Sequence, residues 1–393
     1  MPFNVAAVQK ALQSHGLDAW LLYDFQGSNP VAYRLAGMGA AGHLATRRWF
    51  YLIPATGEPR ALVHAIERYN LDHLPGTKTV YAGREQLEAG LKTVVSGVTR
   101  VAMEYSPNNA IPYVSRVDAG TIELVRSLGI DVVSSGDLIQ QFEACWSDAA
   151  IASHRTASEA LYRIKDRAFE SVTQRLRDGV PTTEYEIQQQ MVGWFGDEGL
   201  IAESAPCVSA QENAGNPHYL ASAAQHRVIR QNELVLLDLW GKLTTTGAVY
   251  ADITWIGFTG SQVPERMTKA FAAICAARDA AVTVVQDAAK AGRDVRGFEA
   301  DRAARKVLQD AGFGDAILHR TGHSLGENVH GNGAHLDDYE THDERRLLPG
   351  SGFTIEPGLY FKDFGVRTEI NMVWTVAGPE VTGPRQAAIV TLV

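Results

Sequence analysis

Residues 319–330 read H-R-T-G-H-S-L-G-E-N-V-H, residues 347–360 read L-L-P-G-S-G-F-T-I-E-P-G-L-Y, and residues 364–376 read F-G-V-R-T-E-I-N-M-V-W-T-V. The first segment brings His319, His323 and His330 close together in sequence. The second and third each carry a carboxylate, Glu356 and Glu369, inside an apolar, β-branched run. A carboxylate is costly to bury there, and it persists when paired, hydrogen-bonded or bound to a cation. Two of them downstream of a glycine-flanked histidine predict a metal site.

The same signature recurs upstream. Residues 233–240, E-L-V-L-L-D-L-W, hold Asp238 in an unbroken apolar run, and residues 248–258, A-V-Y-A-D-I-T-W-I-G-F, hold Asp252 in a similar one. With His323, Glu356 and Glu369 these make a candidate ligand set of carboxylates and one imidazole. Oxygen-rich sets suit Mn²⁺, Mg²⁺ or Ca²⁺, and the imidazole tilts the choice toward Mn²⁺, Co²⁺, Fe²⁺ or Zn²⁺. The carboxylates carry enough charge to balance two divalent cations. Two such ions roughly 3.5–4 Å apart form the centre of two-metal hydrolases, where a bridging hydroxide attacks a carbonyl that the metals polarise. A single aspartate in a strand is often structural, and a histidine after glycine is usually unremarkable. The joint pattern carries the reading.

Composition sets the frame. A chain of 393 residues is long for one core and predicts two domains. Hydrophobic residues at 45% and charged residues at 21% describe an ordinary globular protein. The formal charge of −9 argues against nucleic acid as a partner. Cys145, Cys207 and Cys275 have no disulfide or zinc spacing, which predicts a reducing compartment. The opening M-P-F-N-V-A-A-V-Q-K lacks a basic head and apolar core, and no run approaches the roughly 20 apolar residues of a membrane span. The expectation is a cytoplasmic enzyme with no membrane partner.

Along the chain, Asn4 can cap a helix that carries Val5, Val8 and Leu12 and ends at Gly16. Strands are predicted over 17–23, 49–54, 60–65, 100–105 and 130–134, with a helix over 121–128. This alternation predicts a small α/β domain over 1–155 with no catalytic constellation. A helical stretch over 147–177 opens the second domain, 156–393. Thr183 and Glu186 have capping-box spacing, ahead of Ile187, Met191 and Trp194. Helices are predicted over 267–289 and 295–311, separated by Gly292. Strands are predicted over 233–240, 248–258, 352–360, 366–376 and 388–392. The result is an α+β domain whose two carboxylate-bearing strand pairs hint at an internal duplication.

These motifs resemble the creatinase/prolidase (M24) family of metallopeptidases over roughly residues 160–393, and the N-terminal half is similar in layout to the family's creatinase-type N-terminal domain. The resemblance implies a pita-bread fold, a curved antiparallel sheet covered by helices. It implies that Asp238, Asp252, His323, Glu356 and Glu369 hold two metal ions, Mn²⁺ foremost, with Co²⁺ or Zn²⁺ as alternatives. It further implies that His218, in Q-E-N-A-G-N-P-H-Y, and His330 contact substrate, that Arg367 stands near the site, and that Glu356 also shuttles the proton. His319 is left as a supporting or structural residue. A homodimer is implied as well.

The activity so implied is hydrolysis of the bond preceding proline in a small peptide with proline at the second position. Xaa-Pro dipeptidase is the favoured reading and Xaa-Pro aminopeptidase the alternative. A metal-free C–N hydrolase or a non-catalytic binding module on the same fold is more remote, because all five ligand positions are kept. Trp240, Tyr219 and Tyr360 are candidate walls for the proline ring. Two departures stand out. The segment between Asp238 and Asp252 is longer than the family's usual. His342 stands where a dipeptidase carries an arginine for the substrate carboxylate, with Arg345 and Arg346 as the neighbouring cations.

Overall fold

The computed structural model describes residues 4–38 and 45–393. By internal contacts the chain divides into Met1–Ile139 and Gln140–Val393. The boundary expected near 155 falls inside a helix, Asp148–Arg177, which Ser147 caps by accepting from the Ala150 N–H. The contact division lies earlier, between Ile139 and Gln140.

In the first unit, β1 (Ala19–Asp24), β2 (Trp49–Pro54), β3 (Arg60–His64), β4 (Thr77–Tyr81), β5 (Arg100–Met103) and β6 (Asp131–Ser134) form one sheet in the order β4-β3-β2-β1-β5-β6. The sheet is mixed. β1–β2 and β2–β3 are antiparallel, whereas β1–β5, β5–β6 and β3–β4 are parallel. Every residue of β1 and β2 is buried, as expected for strands covered on both faces. Helix Val5–Ser14 begins at Asn4, whose side chain accepts from the Ala7 N–H. β4 and the helix Arg84–Val94 were not anticipated. The helix packs Leu87, Leu91 and Val94 inward with a mostly polar outer face, so its apolar stripe is short.

The second unit repeats one layout twice. Strands Leu234–Leu243 and Ala251–Phe258 pair antiparallel, and Cys207–Ala210 flanks them. Val235, Leu237 and Leu239 point to one side, into a core with Leu161, Ile164 and Val172 of helix Asp148–Arg177 and Ile187 and Met191 of helix Glu184–Asp197. Strands Gly352–Ile355 and Ile370–Thr375 form the second antiparallel pair, flanked by Ser324–Leu325 and Gly378–Thr382. Phe353, Ile355, Ile370 and Met372 face Phe271, Ile274 and Val282 of helix Glu265–Lys290 and Ala300 and Ala304 of helix Gly297–Asp310.

Side chains on a strand alternate between faces. Val235, Leu237 and Leu239 of the first pair, and Phe353, Ile355, Ile370 and Met372 of the second, turn toward their helices, and their neighbours turn the other way. Asp238, Asp252 and Thr254 lie on the second face of the first pair. Thr354 and Asn371 lie on the corresponding face of the second.

Two predicted strands differ in an informative way. The runs expected over 352–360 and 366–376 are each interrupted, giving Gly352–Ile355 then Gly358–Tyr360, and Gly365–Arg367 then Ile370–Thr375. The register carries across the gap, with Ile355 opposite Ile370 and Gly358 opposite Arg367. Pro357 has no N–H to give the ladder. The Glu369 N–H leaves its own sheet and donates to Thr254 O at 3.2 Å. The breaks fall at the two glutamates that the sequence singled out.

Candidate metal centre

Cross-strand register places the aspartates. Trp240 lies opposite Asp252, and Asp238 lies opposite Thr254. Directly opposed residues share a face, so Asp238, Trp240, Asp252 and Thr254 form one patch with the aspartates on its diagonal. Asp252 is only 4% exposed, and its Oδ1 has no hydrogen-bond partner among the described residues. Asn371 holds its backbone in place. The amide Oδ1 accepts from the Asp252 N–H at 2.9 Å, and the Nδ2 donates to the Asp252 carbonyl. That side chain splices the second strand pair onto the first.

The glutamates are aimed by threonines. Thr354 Oγ1 accepts from the His323 N–H at 2.9 Å and donates to Glu356 Oε1 at 3.0 Å. Thr254 Oγ1 accepts from Arg367 Nε at 3.1 Å and donates to Glu369 Oε2 at 2.7 Å. His323 Nδ1 faces the Ser324 carbonyl at 3.1 Å and must carry the proton there. The Nε2 lone pair is thereby freed as a ligand, 3.7 Å from Asp252 Oδ2 and 3.4 Å from Glu356 Oε1. Asp252, His323 and Glu369 can offer ligand atoms that all lie within 4.8 Å of one another.

Asp238 is held by Arg367, whose Nη2 donates to its Oδ2. Arg367 Nη1 also donates to the Tyr360 hydroxyl at 3.0 Å, and that hydroxyl meets His319 Nε2 at 2.7 Å. His319 Nδ1 faces the Arg320 carbonyl at 2.6 Å, so the Tyr360 O–H is the donor toward Nε2. His319, read from the sequence as a supporting or structural residue, closes a chain of hydrogen bonds that ends on a candidate ligand.

Electrostatics fits a cation. Burial, then repulsion from Asp238 and Glu356, holds the Asp252 carboxyl well above the usual range. Burial and the charge of Asp252 do the same to Glu369. Burial raises Asp238 against the pull of Arg367. For Glu356 burial pushes upward, but His323, His319 and Arg367 together hold it below the ordinary value. Such a cluster of buried carboxylates around one guanidinium repels itself, and divalent cations relieve that repulsion. The unpartnered Asp252 Oδ1, the oriented His323 Nε2 and the hard oxygen donors suit divalent metal.

The remaining expected residues divide. The His330 ring centroid is 4.4 Å from that of His323, edge to face. His218 is exposed, and among the described residues no hydrogen bond, ion pair or ring contact joins its side chain to the five candidate ligands. Tyr219 turns its hydroxyl onto Glu184 at 2.5 Å. Trp240 is half-buried, and its Nε1 has no hydrogen-bond partner among the described residues. The cations considered for a carboxylate grip are all engaged: His342 with Asp338, Arg345 with Asp343 at 2.6 Å, and Arg346 with Asp294 at 3.3 Å. Thr254, Thr354 and Asn371 were missed from the sequence. Their only signal was a position two residues from a candidate ligand.

This architecture and site define a metallopeptidase of the pita-bread fold, and the chain belongs to metallopeptidase family M24, whose profile matches residues 157–375. Among curated relatives, the chain is 30% identical over 241 residues to the Xaa-Pro dipeptidase of Lactobacillus delbrueckii subsp. lactis, covering 59% of this chain and 58% of that protein. The match to an uncharacterised peptidase of Schizosaccharomyces pombe is 30% identical over 213 residues, covering 51% of this chain and 42% of that protein. The chain thus spans about half the length of these curated relatives. Among solved structures, dipeptidase PepE from Mycobacterium ulcerans superposes with a TM-score of 0.69 at 23% identity, covering 99% of this chain and 96% of that one. The expected pita-bread fold is the fold found.

Proposed function

We propose that this chain is a dinuclear, Mn²⁺-dependent Xaa-Pro dipeptidase that hydrolyses the peptide bond preceding proline. One observation carries the reading: two strand pairs and the His323 segment converge so that Asp252, His323 and Glu369 offer ligand atoms within 4.8 Å. Asp238, Asp252, His323, Glu356 and Glu369 would hold the cations. When bound, the cations supply Lewis acidity to the scissile carbonyl and acidify water.

The protein's own groups do the rest. Glu356 is the proton carrier, taking a proton from water and passing it to the leaving nitrogen. His330 and His218 donate hydrogen bonds to the developing oxyanion or the substrate backbone. Arg367 steadies Asp238 and, through Tyr360, the His319 ring. The proline nitrogen has no N–H and sits in a ring. Trp240, directly opposite Asp252, is the wall best placed to receive that ring. The names of relatives favour the dipeptide: one is an Xaa-Pro dipeptidase and another a probable dipeptidase PepE of Mycobacterium tuberculosis.

A second reading, Xaa-Pro aminopeptidase, is favoured by one observation. His342, Arg345 and Arg346 are each committed to an acidic partner and do not offer a ready grip for a free carboxylate. The proposal includes a cytoplasmic homodimer without nucleic-acid or membrane partners, in keeping with the charge of −9. Hydrolysis of X-Pro and X-Pro-Y peptides by the Mn²⁺-loaded protein tests it. Cleavage of the dipeptide alone supports the dipeptidase, and efficient cleavage of the tripeptide establishes the aminopeptidase. Cleavage of neither, with metal bound, refutes both.

A further inference from the structure

Glu184 opens the helix Glu184–Asp197 and is 0% exposed. Among the described residues no ammonium or guanidinium lies within ion-pair distance of it. Its carboxylate is met by neutral donors: the Ala210 N–H at 2.7 Å, Asn213 Nδ2 at 2.9 and 3.0 Å, the Arg227 N–H at 2.9 Å and the Tyr219 O–H at 2.5 Å. The Arg227 guanidinium itself is spent on Glu212 and Glu233. A buried charge held only by neutral groups is expensive unless every lone pair is satisfied. Here the donors come from both sides of one short segment, and His218 lies between them.

That segment is fixed elsewhere too. The Cys207 thiol donates to the Tyr219 carbonyl at 2.6 Å, and the His218 N–H donates to Asn216 Oδ1 at 3.1 Å. Residues 214–215 press against the turn at 361–365. A Cβ on Gly215 would lie 2.2 Å from Phe361 O, and one on Gly365 would lie 1.9 Å from Ala214 O. His218 is thus an exposed side chain on a tightly clamped backbone, and the buried Glu184 carboxylate is the clamp's centre.

We propose that Glu184, acting through Asn213 and Tyr219, is a positioning residue that holds His218 at the angle from which its imidazole meets the substrate. The inference rests on the peptidase reading above. A short O–H···O⁻ bond such as Tyr219–Glu184 is strong and directional, and it transmits a fixed geometry to the adjacent residue. Misplacing a donor by about 1 Å is enough to lower turnover by about two orders of magnitude.

A double-mutant cycle on the Mn²⁺-loaded full chain tests this, using an X-Pro dipeptide or an X-Pro-Y tripeptide. Glu184→Gln places an N–H₂ among donors and should lower kcat by about 10- to 100-fold with a smaller change in KM. In a His218→Ala background the same substitution should change kcat by less than about twofold, because the group it positions is gone. Equal losses in both backgrounds would overturn the proposal and make Glu184 a general support of the fold. Tyr219→Phe, which removes only the hydroxyl, should show the same background dependence and covers the case in which Glu184→Gln does not fold. Hydrogen exchange separates the two readings. If the wild-type chain cleaves no proline peptide, the functional reading fails, and faster exchange at residues 213–220 in Tyr219→Phe still supports the clamp. Unchanged exchange there refutes it.

Discussion

His154 offers a quantitative test of how the strand pairs are held together. It is 0% exposed on helix Asp148–Arg177. Its Nδ1 lies 2.8 Å from the carbonyl of Tyr250, two residues before Asp252, and its Nε2 lies 2.8 Å from Thr382 Oγ1. The carbonyl can only accept, so Nδ1 carries the proton and Nε2 accepts from the threonine. Burial, with a smaller push from the Arg155 charge and against the Tyr250 hydrogen bond, pulls the His154 pKa down to about 4. The unfolded chain takes up this proton near the ordinary value of about 6.5. Between those values the unfolded state binds more protons, so stability falls as pH falls, and the contribution is fully present above about 6.5. The full span corresponds to about 3 kcal/mol, and about 2 kcal/mol of it is lost by about pH 5. The perturbation is His154→Gln, which supplies an amide that does not titrate. Urea unfolding of the metal-free protein at about pH 7 and about pH 5 gives the free energies by linear extrapolation. Tryptophan emission is a suitable probe, since the Trp146 and His154 ring centroids are 5.1 Å apart. The wild type should lose about 2 kcal/mol more than the variant between the two conditions. Equal losses would refute the reasoning and leave His154 without a share in acid sensitivity.

Glu356→Gln should lower kcat by about 10²- to 10⁴-fold, the range for loss of a general base, with an unchanged far-UV circular dichroism spectrum. Near-wild-type turnover would remove Glu356 from the mechanism. Glu369→Gln relieves a buried carboxylate repulsion, so the metal-free protein should melt higher while its stabilisation by Mn²⁺ shrinks; calorimetry with and without the ion reads both. Asn371→Ala deletes both bonds to the Asp252 backbone and should weaken Mn²⁺ binding by about 10-fold or more, as measured by titration calorimetry. His330→Ala should lower kcat at unchanged metal content by elemental analysis, and lost metal would make His330 a ligand instead.

Much of the fold was legible because its signals are local. The Asn4 cap and the Thr183/Glu186 capping box bind backbone within a turn of themselves, and each is found in place. The strands of Asp238 and Asp252 announced themselves because a carboxylate is conspicuous in a β-branched run. Less was legible where a signal depends on distant chain. The runs at 352–360 and 366–376 read as continuous strands, since nothing local shows that the Glu369 N–H will bond to Thr254 on another strand. β4 and the helix Arg84–Val94 lacked a long apolar run of their own.

The sequence by itself determined which residue types could form a hard, anionic site and which stretches would carry them, because burial cost and side-chain period are written into each segment. It named Asp238, Asp252, His323, Glu356 and Glu369. Only the tertiary structure decided how they meet. Register sets the aspartate diagonal, and the breaks in the second strand pair release the glutamates from a regular ladder. Asn371, Thr254 and Thr354 then lock the parts together, and His342, Arg345 and Arg346 are drawn into pairs with acids. Those outcomes depend on which hydrogen-bond partners become neighbours once the apolar faces have turned toward their helices, and no local stretch of chain contains that information.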